Sequence, residues 1–243
     1  MIKRDTEEVI REAVAERVIK MVDIGINLAS SKASLDFAFR FNEVYSAIGY
    51  HPHEAKFLNQ ENFEKLKELT RRPKVVAIGE IGLDYYWKNS PMESQRQAFT
   101  KQIYLAQELQ LPLIIHDREA HQEVLNILEK EAKGLKILLH CFSGDLNFAC
   151  LCIERSYLLG VGGVITFPNA KKLGEVVKYI PLENIVLETD SPYLTPHPFR
   201  GKPNEPKNIP LIAEKIAQLK EVNVSEVARI TSENARIFFG MRD

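Results

Sequence analysis

The stretch VVAIGEIGLDYY, residues 75–86, indicates the fold class of the chain. Residues 75–78 are all apolar and do not alternate with polar residues, which is typical of a strand buried on both faces. The run ends on a single carboxylate, Glu80, between Gly79 and Gly82. A lone glutamate at such a position is either a surface residue or a functional group, and this run by itself leaves both open.

Three further apolar runs end on a side chain that can bind a metal. LPLIIH ends at His116, LKILLH ends at His140 and NIVLETD ends at Asp190. Because parallel strands of alternating β and α units bring their carboxyl ends to one face, we expect these side chains to converge there with Glu80. Two imidazoles and two carboxylates suit a divalent cation such as Zn²⁺, Mn²⁺ or Mg²⁺.

Seven strand patterns alternate with helical patterns along the chain, which predicts an α/β protein with a TIM (β/α)8-type barrel rather than an open sheet. A length of 243 residues is ordinary for one such barrel, so we expect a single domain over residues 1–243. After the Glu80 strand, Ser90, Pro91 and Glu93 predict a capping-box start for the next helix.

Composition excludes several classes of protein. The chain has 32 Lys and Arg against 33 Asp and Glu, so any contact with nucleic acid must be local. Cys141, Cys150 and Cys152 have no CxxC spacing, which favours a reducing, cytoplasmic setting. No apolar run is long enough to span a membrane, and the charged amphipathic N-terminus differs from a signal peptide, so we expect no membrane association.

Several polar and aromatic residues have two interpretations each. His51 is either a proton donor of near-neutral pKa or a turn residue. Arg200 and Lys202, in a proline-rich segment that predicts a rigid ordered loop, either bind phosphate or lie on a solvated surface. The aromatic run at 85–87 either stacks a nucleic-acid base or packs a loop against the barrel rim.

A set of motifs in order along nearly the whole chain resembles the TatD family of metal-dependent deoxyribonucleases. The motifs are GYHPHEA at 49–55, IGEIGLDYY at 78–86, HDREA at 116–120, HCFSG at 140–144, ETDSPYLTP at 188–196, RGKPNEP at 200–206 and TSENA at 231–235. The resemblance implies a TIM-barrel hydrolase related to the amidohydrolases, with up to two divalent metals and activity on DNA phosphodiesters. Single motifs such as HPH would be weak evidence, but the ordered set is specific.

The resemblance also implies roles for individual residues. Glu80 would be a carboxylate shared between two metals, His116 and His140 would bind one metal, and Asp190 would lie beside the other. We expect a metal-activated water to attack the phosphodiester, with catalytic roles for Glu80, Asp190 and His51. The residues expected to contact the DNA substrate, at single-stranded ends cleaved by exonuclease action, are His53, Arg200 and Lys202.

One part of the family pattern is missing. Family members open with a strand that ends in His-X-His, whereas this sequence opens at the helix expected after that strand. We therefore expect a barrel whose first strand is absent or truncated, in which the metal site of Glu80, His116 and His140 is the one best retained and a second metal is not assigned. Either the chain begins downstream of its natural start, or it is a natural variant with one metal or none; His51 and His53 match a separate motif and are not assigned as replacements.

Two other functions stay open. The same metal-bound water would hydrolyse an ester or amide, such as the ester of aminoacyl-tRNA. Alternatively, the chain is a truncated, metal-poor and inactive relic that binds nucleic acid or a partner. The native metal, the substrate and the number of subunits are not indicated by the sequence.

Overall fold

A computed structural model describes residues 4–241. Strands alternate with helices along this part of the chain, and its seven strands confirm the predicted number and the α/β class. The strands are β1 (Met21–Ile24), β2 (Val44–Ile48), β3 (Val75–Asp84), β4 (Leu113–Arg118), β5 (Ile137–Leu139), β6 (Leu158–Val161) and β7 (Ile185–Leu187). The α-helices are α1 (Thr6–Ala15), α2 (Leu28–Arg40), α3 (Gln60–Thr70), α4 (Met92–Leu109), α5 (His121–Glu131), α6 (Leu146–Glu154), α7 (Lys171–Tyr179), α8 (Ile209–Lys220) and α9 (Val224–Phe239).

The chain divides into two compact units, and the first contains residues 22–140 and 238–241. Here β2, β3, β4 and β5 pair in chain order, and every pair is parallel. Ile78, Ile81 and Ile115 are fully buried, which confirms that the non-alternating apolar runs are strands covered on both faces. Helices α2 to α5 connect successive strands of this unit, as in other parallel α/β folds.

Strand β3 is longer than the sequence pattern indicates. It continues past Glu80 to Asp84, and β4 continues past His116 to Arg118, so both functional side chains lie within strands rather than at their ends. Between Ile78 and Ile81 the register shifts, because three steps along β3 oppose two steps along β4. Such a bulge bends a strand and redirects the side chains beside it, here that of Glu80.

The second unit contains the described residues 4–21 and residues 141–237. Its strands β6 and β7 are parallel neighbours. The proline-rich segment is an ordered loop without helix or strand from residue 191 to residue 205, as predicted. Arg4 and Lys207 both bind the carboxylates of Glu12 and Glu205 in this unit, so an ion cluster links α1 to the residues that follow the loop.

The predicted capping box at the start of α4 is wrong. The N-cap of α4 is Pro91, and no side chain caps the helix. The Ser90 hydroxyl instead donates to the backbone oxygen of His53 at 2.8 Å and accepts the backbone N–H of Lys56 at 3.2 Å. Because this hydroxyl is engaged by the turn at 51–57, it does not bind the first turn of α4.

Three other expectations concern the chain as a whole. Residues 4–20 contain α1 and no strand, so within the described chain the first strand follows a helix, as the sequence predicts. Across residues 4–241, no helix is both long and apolar enough to cross a membrane. The single-domain assignment stays a prediction.

Candidate active site

A buried carboxylate, Glu80, lies among three imidazoles in the unit formed by residues 22–140. Its Oε1 atom is 2.7 Å from Nδ1 of His116, 3.7 Å from Nε2 of His51 and 3.9 Å from Nε2 of His140. The structure therefore brings together three of the four predicted metal ligands and adds His51. The ligand atoms of Glu80, His51 and His116 all lie within 4.8 Å of one another.

Close approach of β3 and β4 depends on Gly82. This glycine is the register partner of His116, and its φ of +139° is a conformation that residues with a side chain rarely adopt. A Cβ atom added at Gly82 would lie 2.0 Å from the backbone oxygen of His116. Only glycine fits this position, which explains the glycine two residues after Glu80 in the motif.

Asp84 is a site residue that the sequence analysis missed. It is fully buried, and its Oδ2 atom lies 2.7 Å from Nε2 of His53 and 3.2 Å from Nε2 of His116. His116 therefore has a carboxylate at each ring nitrogen, Glu80 at Nδ1 and Asp84 at Nε2. The available signal was the second acid of the IGEIGLD motif, but pairing it with a histidine required knowing that β3 continues to residue 84.

The electrostatic state of the cluster follows from this arrangement. Burial opposes ionisation of Glu80, but His140, His116 and His51 outweigh it, and the pKa of Glu80 falls below its usual range. For His116, burial lowers the pKa, yet hydrogen bonds to Asp84 and Glu80 outweigh burial and raise the pKa to about 9. A protonated His116 thus places a positive charge between two carboxylates.

His51 is in a different state. Burial is the main cause that lowers its pKa to about 3, so its ring is neutral near pH 7. Its Nδ1 atom accepts the backbone N–H of His53 at 3.1 Å. In a neutral imidazole only one nitrogen is an acceptor, so Nε2 of His51 carries the hydrogen. That tautomer makes the Nε2–H group that faces Glu80 a hydrogen-bond donor rather than a metal ligand.

The donor set fits a divalent cation. Glu80 offers carboxylate oxygen, while His116 and His140 offer imidazole nitrogen, a combination that suits Zn²⁺ or Mn²⁺. Asp84 is placed to orient the His116 ring, as carboxylates behind metal-binding histidines do. Binding a cation through His116 requires the loss of its ring proton from the nitrogen that is used.

The other predicted site residues lie in the unit that contains β6 and β7. Asp190, three residues after β7, has a φ of +56°, and its backbone oxygen accepts the N–H of Tyr193 at 2.8 Å. The guanidinium of Arg200 lies 3.9 Å from the centre of the Phe167 ring, and the ammonium of Lys202 lies 5.7 Å from that of Phe199. Their roles toward metal or substrate stay predictions.

Comparison with known proteins places the chain in a family. Residues 1–240 match the family model described as TatD related DNase. An uncharacterized metal-dependent hydrolase of Bacillus subtilis, YabD, is 45% identical over 97% of this chain and 92% of its own length. The 3'-5' ssDNA/RNA exonuclease TatD of Salmonella typhimurium is 34% identical over 97% of this chain and 93% of its own.

Solved structures agree with this assignment. The Escherichia coli TatD homologue YJJV has a TM-score of 0.91 and 29% identity, covering 97% of this chain and 92% of its own. A TatD family hydrolase from Entamoeba histolytica, 24% identical, has the same fold with a TM-score of 0.86, covering 97% of this chain and 89% of its own. The TIM-barrel type of α/β fold is thereby confirmed. Glu80 and His116 lie in two strands, β3 and β4, that carry motifs of this family. The chain therefore belongs to the TatD family of metal-dependent hydrolases.

Proposed function

We propose that this chain is a metal-dependent nuclease that removes nucleotides from single-stranded ends of DNA. The observation that carries the proposal is the buried Glu80 carboxylate with His116 and His140 at 2.7 Å and 3.9 Å, a donor set for one divalent cation. The names of two relatives support the substrate class, because the Salmonella and Erwinia amylovora proteins are called 3'-5' ssDNA/RNA exonucleases. The Erwinia protein is 36% identical to this chain.

Each residue of the cluster has a part in the proposed reaction. Glu80, His116 and His140 would hold the cation, and a bound divalent cation lowers the pKa of water and neutralises charge on a phosphate. Asp84 keeps the His116 ring oriented through the contact with Nε2. His51 donates its Nε2–H to an oxygen of the substrate phosphate, since the backbone of His53 occupies the other nitrogen.

The remaining predicted site residues keep their predicted roles in the proposal. Asp190 is the candidate base that accepts the proton of the attacking water. Arg200 and Lys202 are the candidate phosphate contacts, because a guanidinium binds two phosphate oxygens at once and an ammonium adds a point charge. His53, whose Nε2 atom is 2.7 Å from Asp84, is the candidate substrate contact beside the cluster.

The test is degradation of a single-stranded oligonucleotide labelled at either end, in the presence of Mg²⁺, Mn²⁺ or Zn²⁺ and with a chelator as control. We expect stepwise loss of nucleotides from one end, abolished by the chelator and reduced about 10-fold or more in Arg200→Ala. If the protein does not degrade DNA but hydrolyses an ester or amide, and Arg200→Ala leaves that hydrolysis unchanged, the protein is the ester or amide hydrolase of the alternative hypothesis. No metal-dependent turnover of either substrate would identify an inactive relic.

A further inference from the structure

Two large aromatic side chains are exposed directly after β3. Tyr86 is 51% exposed and Trp87 is 57% exposed, and their ring centres lie 5.0 Å apart with the ring planes at 89°. Aromatic side chains of this size normally bury most of their surface. An adjacent pair that remains half in solvent is a candidate surface for a flat ligand.

An arginine lies against both rings. The guanidinium carbon of Arg118, the last residue of β4, is 4.2 Å from the centre of the Tyr86 ring and 5.7 Å from that of Trp87. Among the residues that the structure describes, Arg118 forms no ion pair, so its charge is available to an anion. Tyr86, Trp87 and Arg118 are called the aromatic platform below.

The platform is held in place before any ligand binds. Asp84 Oδ1 accepts the backbone N–H groups of Tyr86 and Trp87 at 3.0 Å and 2.8 Å. The buried Gln95 side chain accepts the N–H of Asp84 and donates to the backbone oxygens of Asp84 and Ser90, so it holds both ends of the turn. A pre-organised surface loses less entropy when a ligand binds.

Tyr85 does not belong to this surface. Its hydroxyl donates to Glu123 at 2.7 Å, and the Arg96 guanidinium lies 5.8 Å from the centre of its ring. Burial, followed by the hydrogen bond to Glu123, raises the pKa of Tyr85 to about 12. Of the three consecutive aromatic residues, Tyr85 therefore packs the loop, while Tyr86 and Trp87 face solvent.

The platform is adjacent to the cluster of Glu80 with His51, His116 and His140, which is called the Glu80 cluster. Asp84 joins them, because Oδ1 binds the platform backbone while Oδ2 contacts His53 and His116. Arg118 follows His116 by two residues on β4, a separation of about 6.6 Å along the strand, which is the length of about two stacked nucleotides. On this spacing, a nucleotide stacked on the platform would have a neighbouring phosphodiester within reach of the cluster.

We infer that the aromatic platform stacks an unpaired base of a single-stranded nucleic acid whose phosphodiester lies at the Glu80 cluster. Stacking on aromatic side chains tolerates any base sequence, and a neighbouring arginine adds cation–π attraction and a phosphate contact. A base inside a duplex is covered on both faces by its stacked neighbours, whereas an unpaired base can turn a face to the platform, so the platform favours single strands. This inference rests on the proposed nuclease function and adds to it the group that recognises single strands.

Trp87 provides a direct test because it is the single tryptophan of the chain. The intact metal-loaded protein is titrated with a short single-stranded oligonucleotide that has cleavage-resistant phosphorothioate linkages, and tryptophan fluorescence is recorded. The matched control is an abasic oligonucleotide with the same number of linkages. We expect saturable quenching by the base-containing strand and none by the abasic strand at equal concentration.

Variants give a second readout, the Kd of the labelled oligonucleotide from fluorescence anisotropy. Loss of one stacking partner in Trp87→Ala or Tyr86→Ala is expected to raise the Kd by about 5- to 150-fold. Tyr104→Ala is the control, because Tyr104 is 50% exposed and its hydroxyl binds Glu131 on α5. Its Kd is expected to stay within about twofold of the wild type, the range of an unrelated surface change.

The outcomes separate the inference from the proposed function. Equal quenching by both strands, or no quenching in a protein that still degrades single-stranded DNA, overturns the platform and leaves the nuclease. Absence of DNA degradation overturns the nuclease, while base-dependent quenching still reports on the platform. Absence of any oligonucleotide binding overturns the platform and would make a protein partner its better occupant.

Discussion

The backbone N–H of His53 donates to Nδ1 of His51 at 3.1 Å, so the hydrogen of the neutral His51 ring is on Nε2. That Nε2 lies 3.7 Å from the Glu80 carboxylate, so distance alone would suggest that His51 is a metal ligand. The hydrogen bond to the backbone assigns His51 a donor role, which separates it from His116 and His140.

This assignment predicts the behaviour of His51→Ala. Loss of a hydrogen-bond donor to the substrate should lower kcat by about 100-fold or more, while metal content is unchanged. His51→Gln, which retains an N–H donor, should lose less. Metal analysis and turnover are measured on the same preparations, and a parallel loss of metal in His51→Ala would show that His51 is a ligand after all.

A second prediction concerns Asp84, which contacts His116 and His53 through one oxygen and the platform backbone through the other. Asp84→Asn should weaken metal affinity by about 10- to 100-fold, because the His116 ring loses its orienting carboxylate. Isothermal titration with Mn²⁺ measures this. The control is Asp145→Asn, since Asp145 Oδ1 accepts the N–H of Phe148 at the start of α6. That variant should retain wild-type metal affinity, and equal affinity in Asp84→Asn would remove Asp84 from the site.

Substitution of Gly82 tests whether the site depends on the close approach of β3 and β4. Gly82→Ala places a Cβ atom 2.0 Å from the His116 oxygen at a φ of +139°, so it should lower the free energy of unfolding by about 2–4 kcal/mol and reduce metal binding. Gly174→Ala, within α7 with no atom near the added methyl, should instead raise that free energy by about 0.5–1 kcal/mol. Urea unfolding compares the two, and a stable, metal-binding Gly82→Ala protein would contradict the packing argument.

The ion cluster at α1 predicts a pH dependence of stability. Hydrogen bonds to Arg4 and then to Lys207 lower the pKa of Glu12 to about 2, from an ordinary value of 4.5. A carboxyl whose pKa is lower in the folded state stabilises the fold above about pH 4.5, and this contribution disappears as the pH falls toward 2.

Glu12→Gln should therefore lower the Tm at pH 7 by a small amount, on the order of 1–3 °C for a partly exposed pair. Thermal melts between pH 2 and pH 7 measure the difference between variant and wild type. That difference should shrink as the pH falls from 4.5 to 2, whereas a constant difference would show that charge is not its cause. Glu233→Gln, in the exposed pair with Arg236 on α9, is a control for loss of a surface ion pair.

Strand patterns and strand-end chemistry were sufficient to predict much of the cluster. Glu80, His116 and His140 each follow an apolar run, and a parallel fold brings such positions together whatever their separation in sequence. The bulge beside Glu80, the continuation of β3 to Asp84 and the close contact at Gly82 arise from pairing between β3 and β4, which a single strand pattern does not encode.

The roles of the histidines and aromatic residues depend on individual hydrogen bonds and contacts, which sequence patterns do not specify. The tautomer of His51 depends on one backbone hydrogen bond, which the HPH motif does not reveal. Likewise, Tyr85 and Tyr86 are neighbours of the same residue type, but the first binds Glu123 and the second is exposed beneath Arg118. Only the folded loop distinguishes the packed tyrosine from the exposed one.

The central claim is that Glu80, with His116 and His140, holds the cation that hydrolysis requires. The most direct test is to measure bound divalent metal and oligonucleotide turnover together in the wild type and in Glu80→Gln, a variant of nearly the same shape without the charge. We predict that Glu80→Gln loses the metal and at least about 10³-fold in turnover, while circular dichroism shows a folded protein. A Glu80→Gln protein that retains both its metal and full turnover would contradict the claim.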